Sequence, residues 1–135
     1  MNRMRKVLIA DDEIKVGQLV KRLIQWDRLG LTCIGLVTDG QTAYEKILSE
    51  SPDIVITDIR MPVLTGLEMI QKASEQGVKC HFIVVSGYKY FDYAQKALKY
   101  GVEDYLLKPI DEDELNRQLQ KIVAEEEQRE DKQQQ

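Results

Sequence analysis

Four places in this 135-residue chain carry side chains suited to handling a charged ligand: the acidic run Asp11-Asp12-Glu13, Asp58 after DIVIT, Ser86 before Gly87, and Lys108 before Pro109. Each closes a short apolar run. If those runs are strands of one open parallel sheet, their carboxyl ends bring all four groups to a single crevice, where such sheets bind ligands. Carboxylates gathered there repel one another and shift upward in pKa unless a cation sits among them. Magnesium suits that role, because it prefers oxygen ligands, takes few protein carboxylates and keeps waters that phosphate oxygens can replace. A carboxylate so placed can attack phosphorus to form an acyl phosphate. The metal and the Lys108 ammonium would offset charge on the transferring group, and the Ser86 hydroxyl would donate to a phosphoryl oxygen.

Singly, each residue has an ordinary structural reading. Asp11-Asp12-Glu13 can cap the following helix and suit its dipole, and Asp58, Ser86 and Lys108 can be turn or solvated residues. Independent turn chemistry has no reason, however, to set acids, a hydroxyl and a lysine at successive strand ends of one sheet edge.

The elements that must position them are legible as alternation. Apolar runs at 7–10, 33–37, 54–57, 82–86 and 105–107, most of them rich in β-branched residues, read as strands. Helical stripes lie between them: Val16, Leu19, Val20 and Leu23, then Ala43, Ile47 and Leu48, then Leu64, Leu67 and Ile70. A fourth stretch aligns Tyr93, Ala94, Ala97 and Leu98, and a fifth aligns Leu115, Leu119, Ile122 and Val123. Strands without strict polar alternation want cover on both faces, which right-handed βα crossovers supply, so five βα units imply a doubly wound parallel sheet.

Composition narrows the function. Acidic residues outnumber basic ones by 23 to 19, for a net charge of −4, so no basic surface suited to nucleic acid is implied. Cys33 and Cys80 are expected as reduced, buried thiols, which His81 cannot join in a zinc site at any familiar spacing. The N-terminal apolar run VLIA is too short for a signal peptide or membrane span, so no membrane partner and a cytoplasmic location are expected. The tail AEEEQREDKQQQ lacks apolar residues after its first and is not expected to join the core.

The strings VLIADDE, DIVITDIRMPVLTGLE, FIVVSGY and EDYLLKPI resemble the receiver domains of bacterial two-component response regulators, and positions 12, 58, 86 and 108 are spaced as that family's pattern expects. The resemblance covers residues 4–123, leaving 124–135 as a charged extension or the start of a linker. It implies a flavodoxin-like sheet of strand order 2-1-3-4-5 with helices on both faces. It makes Asp58 the phospho-acceptor, Asp12 a direct magnesium ligand, Asp11 a ligand through water, and the backbone carbonyl of Arg60 a further ligand. Ser86 and Lys108 match the phosphoryl-sensing pair, Tyr105 the switch aromatic, and the Lys108-Pro109 bond is expected to be cis. Arg60 and Tyr88 fall where substitutions tune phosphoryl lifetime.

The same resemblance implies a sensor histidine kinase as donor. It also implies a receiver that catalyses its own phosphorylation and dephosphorylation without being a conventional enzyme, and a homodimer through the face formed by the fourth helix, fifth strand and fifth helix. The longer string VSGYKYFDYAQKALKYGVEDYLLKPIDEDEL, with Trp26 in QWDRLGL, is similar to receivers joined to AraC-type (YesN-like) DNA-binding domains. DNA would then be bound only by an effector outside this chain; the alternative is a receiver that stands alone. Rival readings fare worse. An aspartate-nucleophile phosphatase commonly wants a second acid where Arg60 stands, a flavin module wants a phosphate cradle where the acids stand, and an interaction-only receiver predicts a missing site residue.

Overall fold

The computed structural model describes residues 3–87 and 101–134. Its elements run β1 (Arg5–Ala10), α1 (Ile14–Leu23), α2 (Trp26–Leu29), β2 (Leu31–Val37), α3 (Gly40–Glu50), β3 (Ile54–Thr57), α4 (Gly66–Glu75), β4 (His81–Ser86), β5 (Val102–Leu107) and α5 (Glu112–Gln134). All strand pairings are parallel and the sheet order is β2-β1-β3-β4-β5. The helical stretch at Tyr93–Leu98, and Tyr88 with it, lies outside the described residues.

Successive strand residues point to opposite faces, and each face has its own core. Val7, Ile9, Ile54, Ile56, Ile83 and Val85 pack with Val20, Leu115, Leu119 and Ile122 of α1 and α5. Leu8, Ala10, Val55 and Val84 pack with Ala43 and Ile47 of α3 and with Met69, Ile70 and Ala73 of α4. Burial on both faces explains why the strand sequences are unbroken apolar runs rather than alternating ones.

Three helical stripes differ in detail from the expectation. On α1 the buried positions are Gly17 and Val20, with Ile24 just beyond, while Leu19 is exposed. Gly17 is buried where α1 meets β2, and a β-carbon there would stand 3.0 Å from the Leu36 side chain, so α1 lies close to β2. On α3, Leu48 is exposed beside the buried Ile47. Leu64 precedes α4, whose N-cap is Thr65: the Thr65 hydroxyl accepts from the Glu68 amide and Glu68 returns a bond to the Thr65 amide.

The tail expected to stay clear of the core continues α5 through Gln134. There Glu126 is buried at 7% exposure, and Glu130 accepts from Arg5 of β1 at 2.8 Å. Apolar patterning could not reveal these charged contacts. Cys33 and Cys80 are free and half-buried rather than buried. Among the described residues no helix is long and apolar enough to cross a membrane.

Candidate functional site

The crevice at the carboxyl ends of β1, β3, β4 and β5 has a volume of about 450 Å³ and is lined by Asp12, Asp58, Arg60, Ser86 and Lys108, among others. Each strand delivers its residue through the sheet's own hydrogen bonding. The Asp11 amide donates to the Val37 carbonyl at 3.0 Å, the Asp58 amide to Ala10 at 2.9 Å, and the Lys108 amide to Ser86 at 3.0 Å. The acids, the hydroxyl and the lysine therefore stand side by side across four strands.

Asp58 is 6% exposed and both its oxygens are engaged. Oδ1 accepts from the Ile59 amide at 2.7 Å and Oδ2 from Lys108 Nζ at 2.8 Å. Lys108 Nζ also lies 3.3 Å from Asp11 Oδ2, and Asp11 Oδ1 accepts from the Glu13 amide at 2.9 Å. Burial, reinforced by the Asp58 charge, raises the Asp11 pKa against the opposing pull of Glu13 and Lys108. Burial alone would lower the Lys108 pKa, but Asp58 and Asp11 outweigh it and hold the ammonium above its ordinary range.

Asp11, Asp12 and Asp58 each bring a carboxylate oxygen to within 4.8 Å of the others. Hard oxygen donors, two of them buried and Asp12 exposed to the crevice, fit a magnesium ion that keeps part of its water shell. Ser86 Oγ is buried and has no hydrogen-bond partner among the described residues. A buried hydroxyl at a ligand crevice is a donor held in reserve.

Tyr105 sits on β5 with its hydroxyl donating to the Gly87 carbonyl at 2.8 Å, directly after Ser86. The Lys108-Pro109 peptide bond is cis. Arg60 follows Asp58 by two residues on the loop that leads to α4.

Two site residues escaped the sequence reading. A methyl carbon on Gly66 would stand 2.0 Å from the Asp58 carbonyl oxygen, and one on Gly40 would stand 1.8 Å from the Leu64 carbonyl oxygen. Only glycine lets α4 and α3 approach the loop after Asp58 so closely. A glycine opening a helix was the available signal, and the turns at Gly30, Gly77 and Gly101 masked it.

A parallel α/β sheet with an acid-lined crevice at its carboxyl edge is one class of ligand-binding switch-point architecture. Residues 7–120 match the model of the response regulator receiver domain, and the chain belongs to that family. It is 46% identical over 122 residues to the uncharacterized transcriptional regulatory protein YesN of Bacillus subtilis, covering 90% of this chain and 33% of that one. It is 35% identical over 120 residues to the transcriptional regulatory protein HptR of Staphylococcus aureus, covering 89% and 47%. The chain thus spans a third to a half of these relatives. The REC domain of AraT, a response regulator from Geobacillus stearothermophilus, superposes with a TM-score of 0.89 at 36% identity, covering 94% of this chain and 98% of that one.

Proposed function

We propose that this receiver is a phospho-acceptor switch in which Asp58 takes a phosphoryl group from a sensor histidine kinase. The observation that carries the reading is the pair of contacts on Asp58, an amide on one oxygen and the Lys108 ammonium on the other. The Ile59 amide orients the carboxylate, so that an oxygen faces the crevice as nucleophile. Attack on phosphorus forms an acyl phosphate and releases the donor imidazole. Lys108 follows the growing charge from the carboxylate to the phosphoryl oxygens, and Ser86 Oγ supplies a donor once an acceptor is within reach.

Magnesium, held directly by Asp12, Asp58 and the backbone carbonyl of Arg60 and through water by Asp11, would offset charge on the transferring group. The new contacts of Ser86 and Lys108 favour an arrangement in which Ser86 moves toward Asp58 and Tyr105 turns inward behind it. The output is an altered surface. Two relatives are named as transcriptional regulatory proteins, and on this reading the altered surface would govern a DNA-binding segment outside this chain. A homodimer through the face of the fourth helical stretch, β5 and α5 is the matching assembly, and light scattering before and after phosphorylation would read it as a doubled mass.

Incubation with magnesium and acetyl phosphate, followed by intact mass, tests the core of the reading. The native chain is expected to gain a magnesium-dependent phospho-adduct that Asp58→Asn does not. With magnesium binding confirmed, a native chain that gains none would overturn it and leave an interaction-only receiver.

A further inference from the structure

His81 opens β4 at the sheet edge opposite the Asp58 crevice, and its ring joins three elements. Nδ1 lies 2.5 Å from Glu103 Oε1 on β5, and Nε2 lies 2.6 Å from Glu126 Oε1 on α5. Both separations are those of charge-assisted bonds. A neutral imidazole has one N–H and one lone pair, so only the imidazolium can donate to both carboxylates. Deprotonation would leave a lone pair facing a carboxylate on one side.

The surroundings favour the charged ring. On α5, Glu125 brings a carboxylate oxygen to within 4.8 Å of ligand atoms of His81 and Glu103, and Arg129 grips Glu126 Oε2 at 2.6 Å. Lys79 and Cys80 line the same hollow just ahead of β4. Asp53, before β3, accepts the His81 amide through its carbonyl, while its carboxylate is held by Arg3 and the Lys6 amide. Three carboxylates thus face the ring against the cations of Arg129 and Lys79.

Glu126 lies three residues past Val123, the last apolar residue of α5 buried in the core, yet it is itself buried. Its bond to His81 and the Arg5–Glu130 pair together fasten a stretch that apolar packing leaves unattached, and of the two only the His81 bond involves an imidazole. We propose that His81 is a proton-operated clasp holding residues 124–134 against the edge of β4 and β5, closed when the imidazole is protonated and open when it is neutral. The order of that stretch thereby responds to pH through a group remote from Asp58, a second input to the molecule independent of phosphorylation.

The sign follows from both partners. Burial would lower the His81 pKa, but the bonds to Glu126 and Glu103 outweigh it and raise it above its ordinary 6.5. Burial would raise the Glu126 pKa, but His81 and Arg129 hold it below its ordinary 4.5. The His81 contribution is complete below 6.5 and fades as pH rises through the raised value. The Glu126 contribution is complete above 4.5 and fades as pH falls through the lowered one. The clasp is closed between them and opens on the alkaline side.

His81 is the chain's one histidine, so its ring resonances are unambiguous. An NMR pH titration of the whole chain, paired with amide hydrogen exchange over 124–134, tests the proposal. The expected midpoint lies above 6.5, and protection of 124–134, corrected for intrinsic rates, falls about tenfold as His81 deprotonates, the equivalent of one charge-assisted bond. Glu126→Gln should move the midpoint toward 6.5 and abolish the pH dependence of that protection while the sheet stays protected. Glu103→Gln, at a more exposed carboxylate, should lower the midpoint without endangering the fold. A native midpoint at or below 6.5, or protection of 124–134 indifferent to the charge on His81, would overturn the clasp.

Discussion

Gly66 touches the backbone of Asp58 so closely that a β-carbon on it would stand 2.0 Å from the Asp58 carbonyl oxygen. The Gly66 amide also donates to the Ile59 carbonyl at 2.7 Å, so the first turn of α4 is laced to the residues that present the acceptor carboxylate. The partner in this contact is backbone and cannot rotate away. Gly66→Ala must therefore move Asp58 or α4. It is expected to destabilise the fold by about 2 kcal/mol, as overpacking does, and to slow adduct formation by acetyl phosphate. A urea midpoint within error of the parent would show that the loop yields freely and that the contact is unimportant.

Val63, three residues earlier, sits at φ 69 and is 83% exposed. A β-branched residue pays about 1–2 kcal/mol for the left-handed region, and its exposed side chain recovers nothing by packing. Val63→Asn, which tolerates that region, should raise stability by about 1 kcal/mol. The urea midpoint would rise at unchanged slope. A lower midpoint would mean that Val63 contributes a contact its exposure does not suggest.

How much of this was legible depended on the kind of signal. The two-sided cover of the sheet followed from unbroken runs such as IVIT in β3, because parallel strands buried on both faces leave that trace, whereas the strand order came only from the resemblance to receiver domains. The crevice residues were legible because strand ends are marked by a change from apolar to polar. Val63 was not, since nothing in a valine announces a positive φ. Gly66 was hidden by other glycines with ordinary turn roles. Glu126 and Glu130 read as solvated charges, because burial of a charge depends on partners such as His81 and Arg5 that are distant in sequence. Periodicity reports the apolar face of a helix and is silent about ion pairs on its flanks.

The capping box at Thr65 ties that loop to α4. Thr65→Ala removes the hydroxyl that accepts the Glu68 amide at 3.1 Å and leaves only the return bond, from the backbone amide of residue 65 to Glu68, to close the cap. A loss of about 1 kcal/mol is expected, with amide exchange accelerated in the first turn of α4 and unchanged in β3. Exchange rising equally across both elements would assign Thr65 a role in the global fold rather than in the helix end.

Cys80 offers a test at the opposite edge of the sheet. Burial first, and then the Asp53 carboxylate, push its thiol from the ordinary 9.0 up to about 12. At pH 8 that lowers the thiolate share about a thousandfold, and thiolate is the species that alkylating reagents attack. Iodoacetamide should therefore label Cys80 far more slowly in the folded chain than in urea, as read by mass spectrometry of the peptide containing it. The sign for stability is that of a raised group: its contribution is whole below pH 9.0 and fades as pH climbs toward 12. Equal labelling in the folded and unfolded chain would place the thiol in water and remove the desolvation on which the shift rests.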